Sequence, residues 1–275
     1  MADANPNQHP DIASQRDNKL KSFQVARRAL IKEWLSGITG VVLALFMWGH
    51  MFFVSSILTG EKNFNLIADI FEYTWLAQIT ILVIVIVFFV HFITASRKIP
   101  RGLRDRKKML ELGKSIKNSQ SNWHQDKTSD IRLRSHSETT LWIWQVRSGM
   151  IILVLGSIHL FIVGADIVQR SLGADGITAL ESTARVGSGL WILYVVLLIC
   201  VEFHAGIGLY RFVVKWGTGK QVPLIGEITR RRTHILEQFI FVFFIIVGLI
   251  TLAVLSGIMD PPLESLLAAD LGNPA

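Results

Sequence analysis

Cysteine occurs once, as Cys200, and charged residues make up only 18% of the 275 positions. One thiol excludes an intrachain disulfide and any iron–sulfur cluster held by this chain alone, which would take about four thiolates. Cys200 lies within an apolar run and reads as helix packing. A Gly-rich nucleotide fingerprint is also missing, so the chain has no visible means of holding a flavin. The first 18 residues, MADANPNQHPDIASQRDN, lack an apolar h-region. They read as a disordered cytoplasmic tail, not a signal peptide, and the first apolar block is retained.

What the chain has in quantity is apolar sequence, 51% of its residues, gathered into blocks and not spread at amphipathic spacing. Crossing a hydrocarbon core of about 30 Å takes roughly 20 helical residues. Five blocks meet that length, near 34–58, 74–96, 140–165, 187–213 and 235–257. The expected fold is all-α, an integral membrane bundle of five transmembrane helices. Residues 1–30 would form a polar cytoplasmic tail, 31–258 the bundle, and 259–275 a second tail.

The formal net charge of +7 does not imply nucleic acid, because the cations are sorted by loop. Lys19, Lys21, Arg27, Arg28 and Lys32 precede the first span. The 97–138 and 214–234 connections are basic as well, whereas the 59–73 and 166–186 loops and the tail after 257 are neutral to acidic. The positive-inside rule then puts the N-terminus and basic loops in the cytoplasm and the C-terminus in the periplasm of a bacterial inner membrane. Membrane lipid is one partner. The basic loops could also dock a soluble protein.

Four histidines lie inside the apolar blocks: His50, His91, His159 and His204, each on a different predicted helix. An ionisable group at that depth costs several kcal/mol unless it has a partner or a task. At 1.5 Å per residue, His50 lies about 24 Å and His159 roughly 28 Å from the cytoplasmic ends of their spans. His91 lies about 9 Å and His204 about 16 Å from that side. The set divides into an outer pair, His50 with His159, and an inner pair, His91 with His204. Two such pairs at different depths are what two stacked b haems require, each iron held from both faces by imidazoles. No CxxCH occurs, which excludes covalent c-type attachment. With both axial positions filled, one-electron transfer is the natural chemistry. Small residues beside the ligands (Gly49; Gly156 and Ser157; Ala205, Gly206 and Gly208) fit a porphyrin edge and equally fit close helix packing.

Rival readings of the histidines are weaker. Two separate depths do not make one tetrahedral zinc site. A metal or proton transporter would add intramembrane carboxylates and broken helices, whereas Glu202 is the clear carboxylate deep in a span. Glu202 lies two residues before His204, about 200° around the helix from it, and could exchange protons or be held neutral by a local hydrogen bond.

The strings GHMFFVSSILTG around His50, HSETTLWIWQ from His136, LGSIHLFIV around His159 and VEFHAGIGLYRFVVKWG around His204 carry a resemblance. They resemble the di-haem cytochrome b subunit of quinol:fumarate reductases, five-helix anchors of the succinate:quinone oxidoreductase superfamily. The likeness runs from about Trp34 to about residue 220, with Ala205 where the family often has Gly or Ser. It implies two haem b groups and menaquinone, with an iron–sulfur subunit and an FAD flavoprotein subunit on the cytoplasmic face. The whole complex could pair as a dimer. Electrons would pass from menaquinol near the outer haem to the inner haem, the clusters, the flavin and fumarate. In the family the glutamate of the VExH string, here Glu202, is associated with proton movement.

Other site residues are placed partly by the resemblance. Glu72, at the outer mouth of the second helix, would accept quinol protons, or is a solvated loop carboxylate. Lys215 and Trp142 lie at the depth of the inner haem's propionates and Arg185 at that of the outer haem's. Lys215 and Arg185 could equally be snorkelling anchors. His136, in a family-like string, is a further candidate for a place near a haem, and His9, His124 and His234 read as solvated or interfacial. Two alternatives share the haem–quinone chemistry. One is the same anchor run as succinate:menaquinone reductase; the other is the di-haem b subunit of a hydrogenase or formate dehydrogenase.

Overall fold

A computed structural model describes residues 9–123, 137–171, 177–217 and 230–264, and among these there is no strand. The helices are α1 (His9–Ser55), α2 (Glu61–Tyr73), α3 (Leu76–Ser96), α4 (Ile99–Trp123), α5 (Ser137–Ser171), α6 (Ala179–Arg185), α7 (Trp191–Gly217) and α8 (Arg230–Leu255). Five helices are long and apolar enough to cross a membrane: α1, α3, α5, the α6–α7 unit and α8. This is the number and order that the apolar blocks predict. Large apolar side chains such as Leu82 (63% exposed), Phe161 (78%) and Phe239 (69%) face outward, as only lipid would favour.

Four helices close a ring. α1 packs on α3, α3 on α5, α5 on α7 and α7 back on α1, while α8 lies against α7 and α1. Neighbours in the ring are antiparallel. Glu33, where α1 turns apolar, bonds Lys98 just beyond α3 (3.1 Å) and Lys215 near the end of α7. One end of the bundle is therefore basic. At the other end Ile57, Phe64, Ala68, Ala179, Val186 and Leu255 form a buried cluster where α1, α2, α6 and α8 meet. Two buried backbone N–H groups are satisfied there by α2. Ile177 N–H donates to Glu72 Oε1 (2.9 Å) and Ala179 N–H to Asn65 Oδ1 (2.7 Å).

Several elements differ from expectation. The segment 59–73, expected as a loop, carries α2, whose Phe64 and Ala68 recur at helical spacing and are buried. The polar tail expected over 1–30 is helical from His9 onward; Lys, Arg, Gln, Ala and Leu favour helix, and Asp17–Lys21 forms an i,i+4 pair at 3.0 Å. The 97–138 connection contains α4. The fourth span begins earlier than residue 187, at α6, and passes through a wide π-type turn over Val186–Leu190. Gly189 there has φ +106°, a left-handed conformation that suits glycine, so the chain kinks where the fourth span is expected to begin. Residues 1–8 and 265–275 and His136 lie outside the described residues.

Candidate functional site

Each of the four ring helices supplies one histidine to the interior: His50 from α1, His91 from α3, His159 from α5 and His204 from α7. Ring centroids stand 6.0 Å apart for His50 and His159 and 6.3 Å apart for His91 and His204. These are the pairs that depth along the helices indicates. The separations can be tested against a metal held between them. Metal–imidazole bonds run about 2.0–2.1 Å. A five-membered ring of ~1.33 Å bonds has a radius of about 1.1 Å. Two imidazoles on opposite sides of one metal then place their centroids about 6.2–6.4 Å apart. Both pairs fit within 0.4 Å.

The inner pair is held from behind. His91 Nδ1 lies 3.1 Å from the Ser36 carbonyl and 3.2 Å from Thr39 Oγ1. His204 Nδ1 lies 2.8 Å from the Gln145 carbonyl and 3.4 Å from Ser148 Oγ. Nδ1–H donation to these acceptors leaves each Nε2 free to ligate, the usual arrangement around protein metal sites. Two glycines make room for the rings. A Cβ on Gly40 would stand 3.0 Å from His91 Cε1, and one on Gly149 would stand 2.8 Å from His204 Cε1. This room for the imidazoles is distinct from the room for a porphyrin edge that the sequence suggests beside the ligands. Of the small residues beside the ligands on their own helices, Gly49, Gly156, Ala205 and Gly208 line the cavity, with open space at the Gly49 Cβ position, whereas Gly206 meets Glu237 instead.

Around the outer pair, Phe46 stacks on His50 at 5.7 Å and Tyr194 presents its edge to His159 at 5.5 Å. The layers are well separated. On α1 the inner seat at Gly40 precedes His50 by ten positions, and on α5 Gly149 precedes His159 by ten. Ten residues of helix rise about 15 Å, so both sides of the bundle set the same spacing.

A cavity of about 990 Å³ runs through the ring and is lined by all four histidines. Its walls are mostly apolar, and cations stand at both ends: Lys98 and Lys215 at the basic end, Arg185 at the other. Trp142 also lines it and packs over Gly102 at the start of α4. Two carboxylates that the sequence reading did not single out engage these cations. Glu33 holds Lys98 and Lys215, and Asp166 holds Arg185, which also bonds Tyr194.

Glu202 is buried at 2% exposure, lines the same cavity and bonds the Trp48 side chain, which stacks on Phe244 at 5.7 Å. Glu72 is neither exposed nor in a loop. It sits on α2 at 5% exposure, where it also caps the Ile177 N–H. Among the described residues no three His, Cys, Asp or Glu side chains cluster to hold a bare metal ion.

Residues 126–248 match the model of the succinate dehydrogenase/fumarate reductase transmembrane subunits. The chain is 32% identical over 227 residues to the fumarate reductase cytochrome b subunit of Helicobacter pylori, covering 80% of this chain and 77% of that protein. The chain belongs to this family. A fumarate reductase cytochrome b subunit from Wolinella succinogenes is similar to the same degree, 32% over 228 residues, with 80% and 78% of the two chains covered. The family is one of transmembrane subunits, and the five apolar helices make this member a multi-pass inner-membrane protein. Its ring of four helices and the outlying α8 place the family's sequence strings around a single interior, with every histidine of those strings that falls in the described residues facing it.

Proposed function

We propose that the chain is the membrane anchor of a fumarate reductase complex. It would bind two haem b groups and carry electrons from menaquinol to an iron–sulfur subunit and an FAD flavoprotein subunit that reduces fumarate. The observation that carries this reading is the two imidazole pairs, spaced for a metal between them, in one apolar cavity of a chain from this family. Haem would supply reversible one-electron chemistry at each pair. His50 and His159 would ligate the outer haem, His91 and His204 the inner. The inner pair lies toward the basic end, which by the positive-inside rule is cytoplasmic and faces the partner subunits.

The remaining residues would position and shuttle. Lys215 and Trp142 suit propionates of the inner haem and Arg185 those of the outer, each cation exchanging part of its bond to Glu33 or Asp166 for a haem carboxylate. Quinol oxidation at the capped end would release two protons, for which Glu72, buried on α2, is a candidate acceptor. Glu202, buried between the layers, would exchange a proton across the interior with Trp48 as its hydrogen-bond partner.

The test is purification of the chain with its copurifying partners. A dithionite-reduced b-type spectrum with two haems per chain, and menaquinol-driven fumarate reduction, are expected. A complex with neither haem nor dicarboxylate activity would reject the proposal.

A further inference from the structure

α1 and α5 carry the same pattern at the same spacing. On α1 it is the Ser36 carbonyl, the Thr39 hydroxyl, Gly40 and His50; on α5 it is the Gln145 carbonyl, the Ser148 hydroxyl, Gly149 and His159. In each case the positions are i, i+3, i+4 and i+14. The first three receive the imidazole of the following ring helix: His91 from α3 in one case, His204 from α7 in the other. The fourth places a histidine of the outer pair.

The acceptor-only carbonyls of Ser36 and Gln145 settle which way these contacts run, since Nδ1 can only donate to them. Thr39 Oγ1 donates to the Leu35 carbonyl at 2.7 Å, and Ser148 Oγ donates to the Trp144 carbonyl at 2.9 Å. With its one proton committed to its own helix, each hydroxyl can present only a lone pair to the imidazole. Nδ1 of each inner histidine thus faces two acceptors, a carbonyl and a hydroxyl oxygen, and is held as N–H. Among the described residues the outer pair shows no such seat. His159 Nδ1 is buried with no hydrogen-bond partner among the described residues.

We infer that Thr39 and Ser148 are positioning residues. They fix the tautomer and ring plane of His91 and His204, and with Gly40 and Gly149 they form a duplicated seat that tunes the inner pair alone. This rests on the reading that the four histidines hold two haems. Donation of Nδ1–H to an acceptor raises the basicity of the ligating nitrogen and favours the oxidised iron. Removing the hydroxyl acceptor should weaken that preference at one site of the two. Thr39, at 3.2 Å, should matter more than Ser148, at 3.4 Å.

The experiment uses the intact, haem-loaded complex and compares Thr39→Val and Ser148→Ala with the hydroxyl-retaining Thr39→Ser and Ser148→Thr. Each is followed by redox titration of the b bands and by low-spin ferric EPR. Thr39→Val and Ser148→Ala are expected to move the EPR signal of one haem, raise its midpoint and leave the other unchanged. A tenfold loss of ferric preference reads as about 59 mV for one electron. The two hydroxyl-retaining variants should match wild type. Both haems bound with both signals unmoved would overturn the inference, as would equal shifts in the two haems. Failure of all four variants to assemble would overturn it too, since the fold and not the hydroxyl would then be read. Absence of a b-type spectrum from wild-type protein would instead reject the underlying haem reading.

Discussion

A methyl group added at Gly149 should remove one haem and spare the other. A Cβ there would stand 2.8 Å from His204 Cε1 and 3.1 Å from Nδ1. Nonbonded carbons settle at about 3.5–4.0 Å, so the imidazole would have to retreat by roughly 0.7 Å or more. It is not free to do so, because Nδ1 is bound to the Gln145 carbonyl at 2.8 Å and the ring faces His91 across 6.3 Å. Metal–ligand distances tolerate only about ±0.2 Å, so the displacement exceeds what a bis-imidazole site accepts. The fold itself should survive. Alanine is a better helix former than glycine by about 0.8–1.0 kcal/mol, which roughly offsets the loss of one hydrogen bond worth about 1 kcal/mol. The assay is haem-to-protein ratio with the dithionite-reduced spectrum of the purified complex. Gly149→Ala should fall from two haems per chain to one. Gly164→Ala, on the same helix but outside the cavity lining and with only Ile81 Cγ1 at 3.8 Å from its Cβ, should keep two. Two haems with an unshifted spectrum in Gly149→Ala, or a lost haem in Gly164→Ala, would refute the steric argument.

Three further substitutions separate roles that the sequence leaves open. Glu202→Gln should retain both haems while slowing menaquinol-driven turnover; wild-type turnover in that variant would end the proton-exchange role. Glu72→Ala should strand the buried Ile177 N–H and cost about 1–3 kcal/mol, read as a lower Tm, whereas Glu72→Gln keeps an acceptor and should hold the Tm. If Glu72 also takes quinol protons, Glu72→Gln should slow quinol oxidation by at least about 100-fold; unchanged oxidation would reduce it to a structural cap. Arg185→Leu should leave the Asp166 carboxylate poorly compensated and lower the Tm. The effect should fall toward or below the low end of the about 3–5 kcal/mol seen for fully buried pairs, because Asp166 keeps 24% exposure. Arg185→Leu combined with Asp166→Leu should recover most of that stability, and a double variant no better than the single one would contradict the pairing.

The pairing of the histidines was legible because it depends on quantities that a sequence carries directly: helix direction from loop charge and depth from rise per residue. His50 and His159 share a level, as do His91 and His204, whatever the loops do. What surrounds the rings was not legible by the same means. Successive residues on a helix point about 100° apart, so a glycine adjacent to a ligand in sequence, such as Gly49, can line the cavity without making room for the ligand's own ring. The space must come from the facing helix, and Gly40 and Gly149 look on their own like ordinary small-residue packing. The signal that could have found them is the repeat itself, a hydroxyl–glycine pair followed by a histidine at the same distance in α1 and α5. Glu33 and Asp166 escaped notice because a charged residue near a span end ordinarily meets water. Here the ring geometry brings them onto Lys98 and Lys215 and onto Arg185. The repeat also explains why long connections are tolerable. The inner seat and the outer histidine ride on one continuous helix in each case, so the separation of about 15 Å between the layers is set by helical rise and not by any loop. Electron transfer between the layers would then be insulated from the connecting segments, and substitutions there should alter docking or stability before they alter the distance between the two sites.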